Sequence, residues 1–161
     1  MISDMKRILV FSDSHDRLAL CEKTIKNVPC DLILHAGDYA RDAQELKKRF
    51  PDKELIYVRG NCDIHAYAQD DEVIELDGVR IFLTHGHKYA VKYEDSYRTL
   101  TEAARARSCT VAVFGHTHEA YTGENDGVLL LNPGSARFSY GVIETENGRP
   151  RACVIHDEVW S

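Results

Sequence analysis

The sequence predicts an α/β fold built on two sheets, and three observations carry that expectation. Short apolar runs alternate with helical patterns over residues 7–58. A two-residue turn signal at Asp77-Gly78 then joins two further apolar runs. After Gly115-His116-Thr117-His118 the chain reads almost entirely as strands.

Taken in order, Arg7–Ser12, Asp31–Ala36 and Glu54–Val58 are apolar runs of strand length. Between the first two, a helix is expected over Arg17–Asn27, with Leu18, Leu20 or Cys21, and Ile25 on its buried side, Asp16 as its cap and Pro29 as its stop. A second helix is expected over about Asp42–Phe50. This β-α-β-α-β series implies a parallel sheet with right-handed crossovers. It also sets the polar residues that end each strand at the carboxyl edge, where open α/β sheets place their sites.

Val73–Leu76 and Val79–Leu83 flank Asp77-Gly78 and begin a second sheet, since Asp-Gly suits a two-residue hairpin with positive φ at both positions. A helix follows over about Val91–Arg107, with Tyr93, Tyr97, Leu100 and Ala104 spaced three and four apart as its packing face. Strands at 120–122, 128–131, 140–144 and 152–156 complete the chain, with turns at Asn125-Asp126-Gly127 and Glu146-Asn147-Gly148. No repeat or linker divides it, so residues 1–161 read as one domain.

Composition narrows the function classes. The 161 residues suffice for one well-buried core, and 43% hydrophobic with 29% charged residues is a globular balance. A net charge of −6 argues against a broad grip on duplex DNA. The run Lys47-Lys48-Arg49 reads as a solvated helix face. No stretch approaches the roughly 18 apolar residues of a membrane span, so no membrane partner is expected. Five cysteines, at 21, 30, 62, 109 and 153, are odd in number and form no C-x-x-C pair; reduced thiols in a cytoplasmic protein are expected.

The chemistry lies at the strand ends. Val111–Phe114 runs into Gly115-His116-x-His118, and the first strand into Asp13-x-His15. Residues i and i+2 of an extended chain point to the same side, so each pair is expected to grip a common site. The other strand ends carry Gly37-Asp38, Gly60-Asn61-Cys62-Asp63 and His85-Gly86-His87. A lone histidine in such a place is an ordinary polar residue at a rim. Five ends with His, Asp or Asn, several beside a glycine that lets backbone come close, point to metal.

In this order the five motifs resemble the blocks of the calcineurin-like metallophosphoesterases, most of all the short, single-domain prokaryotic phosphodiesterase branch. The resemblance spans residues 13 to 118, and Asn132-Pro133-Gly134-Ser135 is similar to that branch too. It implies a four-layer α/β/β/α sandwich of two mixed sheets with helices on the outer faces. It also implies two divalent metals, one held by Asp13, His15 and His118, the other by Asn61, His85 and His116, with Asp38 bridging. A metal-bridging hydroxide would then be the nucleophile, and no side chain is assigned that role. Such pairs, about 3.5 to 4 Å apart, clamp the attacking and leaving oxygens at phosphorus. Mixed imidazole and oxygen donors favour manganese, nickel, cobalt, iron or zinc over magnesium or calcium without choosing among them, and manganese is the expected ion.

One departure from the superfamily bears on substrate. Many members have His after the Asn of the third block, where it helps protonate the leaving oxygen; here Cys62 stands there. Without that acid, esters with good leaving groups are favoured. Asn61, Cys62 and Arg137 are candidate substrate contacts. Cys62 also reads as a small buried filler, and Arg137 as a surface arginine. His35, His65, His87 and His156 read mainly as structural, His87 as an exposed loop residue.

The expected function is therefore hydrolysis of small phosphodiesters. A phosphomonoesterase, a pyrophosphate-cleaving enzyme and a nuclease stay open within the superfamily. A non-catalytic protein-binding module on the same fold, as in a eukaryotic retromer subunit, and a metal sensor stand as rivals. The complete set of seven metal-binding candidates counts against the binding module. The expected partner is a small phosphoester; a homo-oligomer stays open on base rate alone.

Overall fold

A computed structural model describes residues 5–63 and 67–157. His65 lies outside them. The elements in chain order are β1 (Lys6–Phe11), α1 (Ala19–Asn27), β2 (Leu32–His35), α2 (Ala40–Arg49), β3 (Leu55–Tyr57), β4 (Asp71–Leu76), β5 (Val79–Thr84), α3 (Arg98–Ala106), β6 (Val111–Val113), β7 (Tyr121–Asn125), β8 (Val128–Asn132), β9 (Ser139–Glu146) and β10 (Arg149–His156).

Two five-stranded sheets result, ordered β10-β9-β1-β2-β3 and β4-β5-β6-β8-β7. Each has three parallel strands flanked by antiparallel ones, on one side in the first sheet and on both in the second. β1, β2 and β3 run parallel, while β9 pairs antiparallel with β1 and with β10. In the other sheet β5, β6 and β8 run parallel, and β4 and β7 close the edges antiparallel. The expected mixed sheets are present.

The period of two along each strand builds the layers. In β1, Ile8 and Val10 face inward with Leu32 and Leu34, and meet Ile81, Leu83, Val111, Val113 and Leu131 of the second sheet. The alternate residues Leu9 and Phe11 face outward with Ile33 and Leu55, against Cys21 and Ile25 of α1 and Ala43 and Leu46 of α2. On the far side Phe82, Ala112, Phe114 and Leu130 pack on Leu100 and Ala104 of α3. Helices, sheet, sheet and helix therefore stack as the four-layer sandwich expected.

Three hairpin turns carry paired positive φ angles: Asp77 and Gly78 (51° and 75°), Asp126 and Gly127 (51° and 78°), Asn147 and Gly148 (54° and 76°). These are the turns the sequence signals, matched to the twist of the strands they join.

The helix starts differ from expectation. α1 begins at Ala19 and its first turn has no side-chain cap. Asp16 sits at φ 66°, and its carboxylate pairs with Arg41 instead. α2 begins at Ala40, two residues early, so that Asp42 falls inside the helix on its buried face. α3 is much shorter than Val91–Arg107: residues 91–97 are turns, bracketed by Ala90 and Tyr97 in left-handed conformation. The Glu94 carboxylate accepts hydrogen bonds from the Thr99 amide (3.0 Å) and hydroxyl (2.9 Å), satisfying a first-turn donor from outside the helix. Tyr97 packs on Phe114 and Tyr121 as expected, but Tyr93 is 87% exposed and packs on nothing in the core. No helix among the described residues is long and apolar enough to cross a membrane.

Phe11 is fully buried between the first sheet and its two helices. Phe11→Ala should cost about 3–5 kcal/mol through lost burial and the cavity left behind, read from the denaturant midpoint at constant slope.

Candidate metal centre

Every parallel strand of the two sheet centres except β8 ends in a loop carrying a candidate ligand. β1 leads to Asp13 and His15, β2 to Asp38, β3 to Asn61, β5 to His85, β6 to His116 and His118. The expectation that an extended chain pairs i with i+2 is corrected here. Asp13, His15, Asp38, His116 and His118 all adopt positive φ, from 47° to 72°. Tight left-handed loops, not strand continuation, aim these side chains, and such backbone costs of order 1–3 kcal/mol per residue. A further consequence concerns the two imidazoles after β6. His118 sits beside His15 (ring centroids 5.1 Å), whereas His116 packs edge-on against His85 (5.0 Å), so the pair divides between two halves.

In the first half, one ligand atom each from Asp13, His15, Asp38 and His118 lies within 4.8 Å of the others. Asp13 Oδ2 is held by the Ser12 hydroxyl (2.7 Å) and the His116 amide (3.1 Å). Its other oxygen, Oδ1, is buried with no hydrogen-bond donor among the described residues, and so is His15 Nε2. His118 Nε2 approaches that Oδ1 at 3.2 Å.

The second half turns on His85. Its Nδ1–H donates to the Ala36 carbonyl (2.8 Å), which leaves a lone pair on Nε2 of the neutral ring. That nitrogen faces Asn61 Oδ1 at 3.0 Å, Asp38 Oδ2 at 3.4 Å and Asp13 Oδ1 at 3.9 Å. Acceptors thus converge on an acceptor, and only a proton or a cation reconciles them. Burial disfavours the charged ring, but the hydrogen bond to Asp38 and the charges of Asp13 and Asp38 prevail and raise the His85 pKa above its ordinary value. Burial opposes charge on Asp38 too, yet His85 and the Cys62 N–H (3.0 Å to Oδ1) hold that carboxyl well below the usual range. His116 is lowered to about 4 by burial and by the neighbouring His85 charge, so its ring stays neutral.

A sequence profile of the calcineurin-like phosphoesterase superfamily domain matches residues 5–157. The chain belongs to this superfamily. A probable metallophosphoesterase of Mycoplasma pneumoniae is 31% identical over 134 residues, 81% of this chain and 79% of the relative. A phosphodiesterase of Methanocaldococcus jannaschii is 28% identical over 174 residues, 92% and 99% of the two chains. The crystal structure of a conserved uncharacterized protein from Streptococcus pneumoniae superposes with TM-score 0.79 at 26% identity, covering 95% of this chain and 90% of that one. Vacuolar protein sorting 29 of Cryptosporidium parvum shares the fold (TM-score 0.74, 98% and 99% covered) at 16% identity.

Metallophosphoesterase membership implies divalent metals, and the residues present fit them. The orphaned Asp13 Oδ1 and His15 Nε2 are buried acceptors for which a cation is the natural partner. The donor set of neutral imidazoles, carboxylates and an amide oxygen suits borderline divalent ions.

Around the centre, the protein uses polar residues that a motif search misses. His35 is fully buried; it accepts from the Gly37 amide at Nδ1 (3.1 Å), so Nε2–H donates to Ser14 Oγ (3.0 Å). Ser14 donates in turn to Asp42 Oδ2 (2.6 Å). The Asp63 carboxylate takes the amides of Gly60 (2.8 Å) and Ala40 (3.0 Å). Asn132 Nδ2 holds the Gly115 carbonyl (3.2 Å) and the Thr117 hydroxyl (2.9 Å), and the Ser135 hydroxyl donates to the Asp13 carbonyl (3.0 Å). The one available signal was a charged residue on an apolar face: Asp42 interrupts the stripe made by Ala43 and Leu46.

Three further expectations change. Cys62 is exposed and is no buried filler. His87 is half-buried, not an exposed loop residue, with its ring 5.5 Å from that of His85 and 6.2 Å from that of His116. Arg137 is half-buried too; its partners among the described residues are Ser135 Oγ (3.4 Å) and the Phe138 ring (5.0 Å), not the clustered ligand atoms. His156 is exposed at the end of β10.

Close approach at Gly60 is strict, because a Cβ there would collide with Asp38 Oδ1 and stand 2.6 Å from the Asp38 amide. Gly60→Ala should therefore displace Asp38 and weaken divalent-metal affinity by about 10-fold or more, measured by titration calorimetry on the metal-free protein.

Burial holds His35 neutral down to about 4, whereas an unfolded imidazole titrates near 6.5. The unfolded state binds the extra proton between those values, so stability rises with pH across the window and falls on acidification. About 3 kcal/mol should be lost from pH 6.5 to 4 in the metal-free protein. His35→Gln should flatten that part of the profile in denaturant titrations across pH.

Proposed function

We propose that this protein is a di-metal phosphodiesterase acting on small phosphodiesters. The observation that carries the reading is a convergence of ligand atoms: Asp13 Oδ1 and His15 Nε2, buried without a hydrogen-bond partner among the described residues, stand beside Asp38 Oδ2, Asn61 Oδ1 and His85 Nε2, which crowd on one another. In this reading Asp13, His15 and His118 hold one divalent ion, Asn61, His85 and His116 hold a second, and Asp38 serves both. Manganese is the preferred ion, with nickel, cobalt, iron or zinc as substitutes. Such a pair, when bound, supplies a water of lowered pKa and charge stabilisation for the oxygens at phosphorus.

The side chains have complementary tasks. Low proton affinity at Asp38 and His116 keeps both ready to bind metal at neutral pH. Asn61 and Cys62 are exposed beside the clustered ligands and are assigned to the phosphoryl group. Partial desolvation and the Asp38 charge raise the Cys62 thiol pKa, so it stays protonated but is a weak acid. Protonation of a leaving alkoxide is worth about 10²- to 10⁴-fold when a matched acid performs it. With a thiol in that place, diesters with stabilised leaving groups are favoured. The phosphodiesterase relative of Methanocaldococcus jannaschii supports the diester reading.

A second reading, a non-catalytic protein-binding module, draws on the fold shared with vacuolar protein sorting 29. The full set of seven candidate ligands argues against it.

Hydrolysis of bis(p-nitrophenyl) phosphate should require added manganese and exceed that of p-nitrophenyl phosphate. Asp38→Ala, Asn61→Ala and His116→Ala should each reduce it by about 10²-fold or more in kcat/KM. A folded wild type that turns over neither ester with manganese, nickel, cobalt or zinc would favour the binding module.

A further inference from the structure

Asp42 is a buried carboxylate that the proposed chemistry does not use. It lies in the first turn of α2, 3% exposed, on the face that packs against the first sheet. One of its oxygens, Oδ2, accepts two hydrogen bonds, from the Ser14 hydroxyl (2.6 Å) and from the Asp16 amide (2.9 Å). Ser14 and Asp16 are the two neighbours of His15 in the chain. The His15 backbone stands in the left-handed region at φ 47°, as does Asp16 at 66°, so this segment depends on outside support to keep its course. His35 fixes the same hydroxyl from its other side (3.0 Å), so that Ser14 Oγ is pinned between an imidazole and a carboxylate.

We propose that Asp42 is a positioning residue for His15: by holding both chain neighbours on one oxygen, it sets the direction in which His15 presents Nε2 to the metal. The inference rests on the assignment of His15 to a metal and goes beyond it. A carboxylate acceptor makes short, charge-assisted bonds to hydroxyl and amide, which suits a device that works against backbone strain. Because both bonds end on the same oxygen, an asparagine that turns its amide oxygen to that place retains both. Alanine retains neither.

The experiment is titration of manganese into the metal-free full chain, for wild type, Asp42→Asn, Asp42→Ala, Ser14→Ala and His15→Ala, with melting temperatures of the metal-free proteins alongside. His15→Ala identifies which binding event belongs to His15. Asp42→Ala should weaken that event by about 10- to 100-fold, the usual range for partners that orient a ligand, and leave the other within about three-fold. Asp42→Asn should recover most of the loss. Ser14→Ala removes only one hydroxyl, should weaken the same event in the same direction, and serves if Asp42→Ala does not fold. Equal weakening of both events in step with a lower melting temperature would reduce Asp42 to a fold-stabilising residue and overturn the inference. Variants that match a metal-binding wild type within about two-fold would overturn it also. A folded wild type that takes up no manganese, nickel or zinc would instead overturn the metal reading itself, and this inference with it.

Discussion

Asp13 Oδ1 stands 3.2 Å from His118 Nε2 and 3.9 Å from His85 Nε2, and no donor from the rest of the described protein compensates it. Acceptors of this kind are costly to bury and hold together only through a proton or a cation shared between them. The arrangement has to be imposed from outside. Two sheets, each with three parallel strands, impose it by delivering several strand ends to one rim, and the apolar layer between them, from Ile8 and Val10 to Leu83 and Val113, fixes how the two sets of ends meet.

The loops that finish the task are expensive. Five ligand-bearing residues without glycine's freedom stand at positive φ, and their stability comes from elsewhere. Asp13, Asp38 and the chain on either side of His15 are tied by polar groups set back from the cluster. The oxygens of Asp13 and Asp38 that point away are loaded with donors, Ser12 and the His116 amide on one, the Cys62 amide on the other, which leaves the opposing oxygens available. Gly60 and Gly115 let backbone pass so near these carboxylates that a methyl group has no room. The three apolar clusters repay the cost, since the strained loops are short and the strands beneath them are almost wholly buried.

Much of this was legible in the sequence because it follows from periodicity and turn chemistry. The apolar run Arg7–Ser12, the Asp77-Gly78 signal and the five polar strand ends give two sheets and one rim. The helix starts were not legible. Asp16 looks like a cap, but a longer-range partner, Asp42, takes its amide and Arg41 takes its carboxylate. The spacing of Tyr93, Tyr97 and Leu100 suits a helix, yet Ala90 and Tyr97 turn left-handed and Glu94 caps the helix from beyond its end, so Tyr93 is left in solvent. Residues such as His35, Asp42 and Asp63 act through partners 21 to 28 positions away. No local pattern reports such partners.

The three Asp-Gly and Asn-Gly hairpins have a bearing on the molecule's tolerance to change. Gly78 leads into β5 and Gly127 into β8, at the ends of those strands farthest from His85 and Asn132, and Gly148 follows the end of β9 that pairs with the start of β1. Gly78 and Gly148 are near neighbours in space, with open room at Gly127. All three turns therefore occupy the rim opposite the one that carries Asp13, Asp38 and His85. The protein is two-ended: irregular, mutually braced loops at one pole, short self-sufficient turns at the other. Insertions, surface tethers or a fused domain belong at the second pole, where the chain can be lengthened without disturbing a single acceptor at the first.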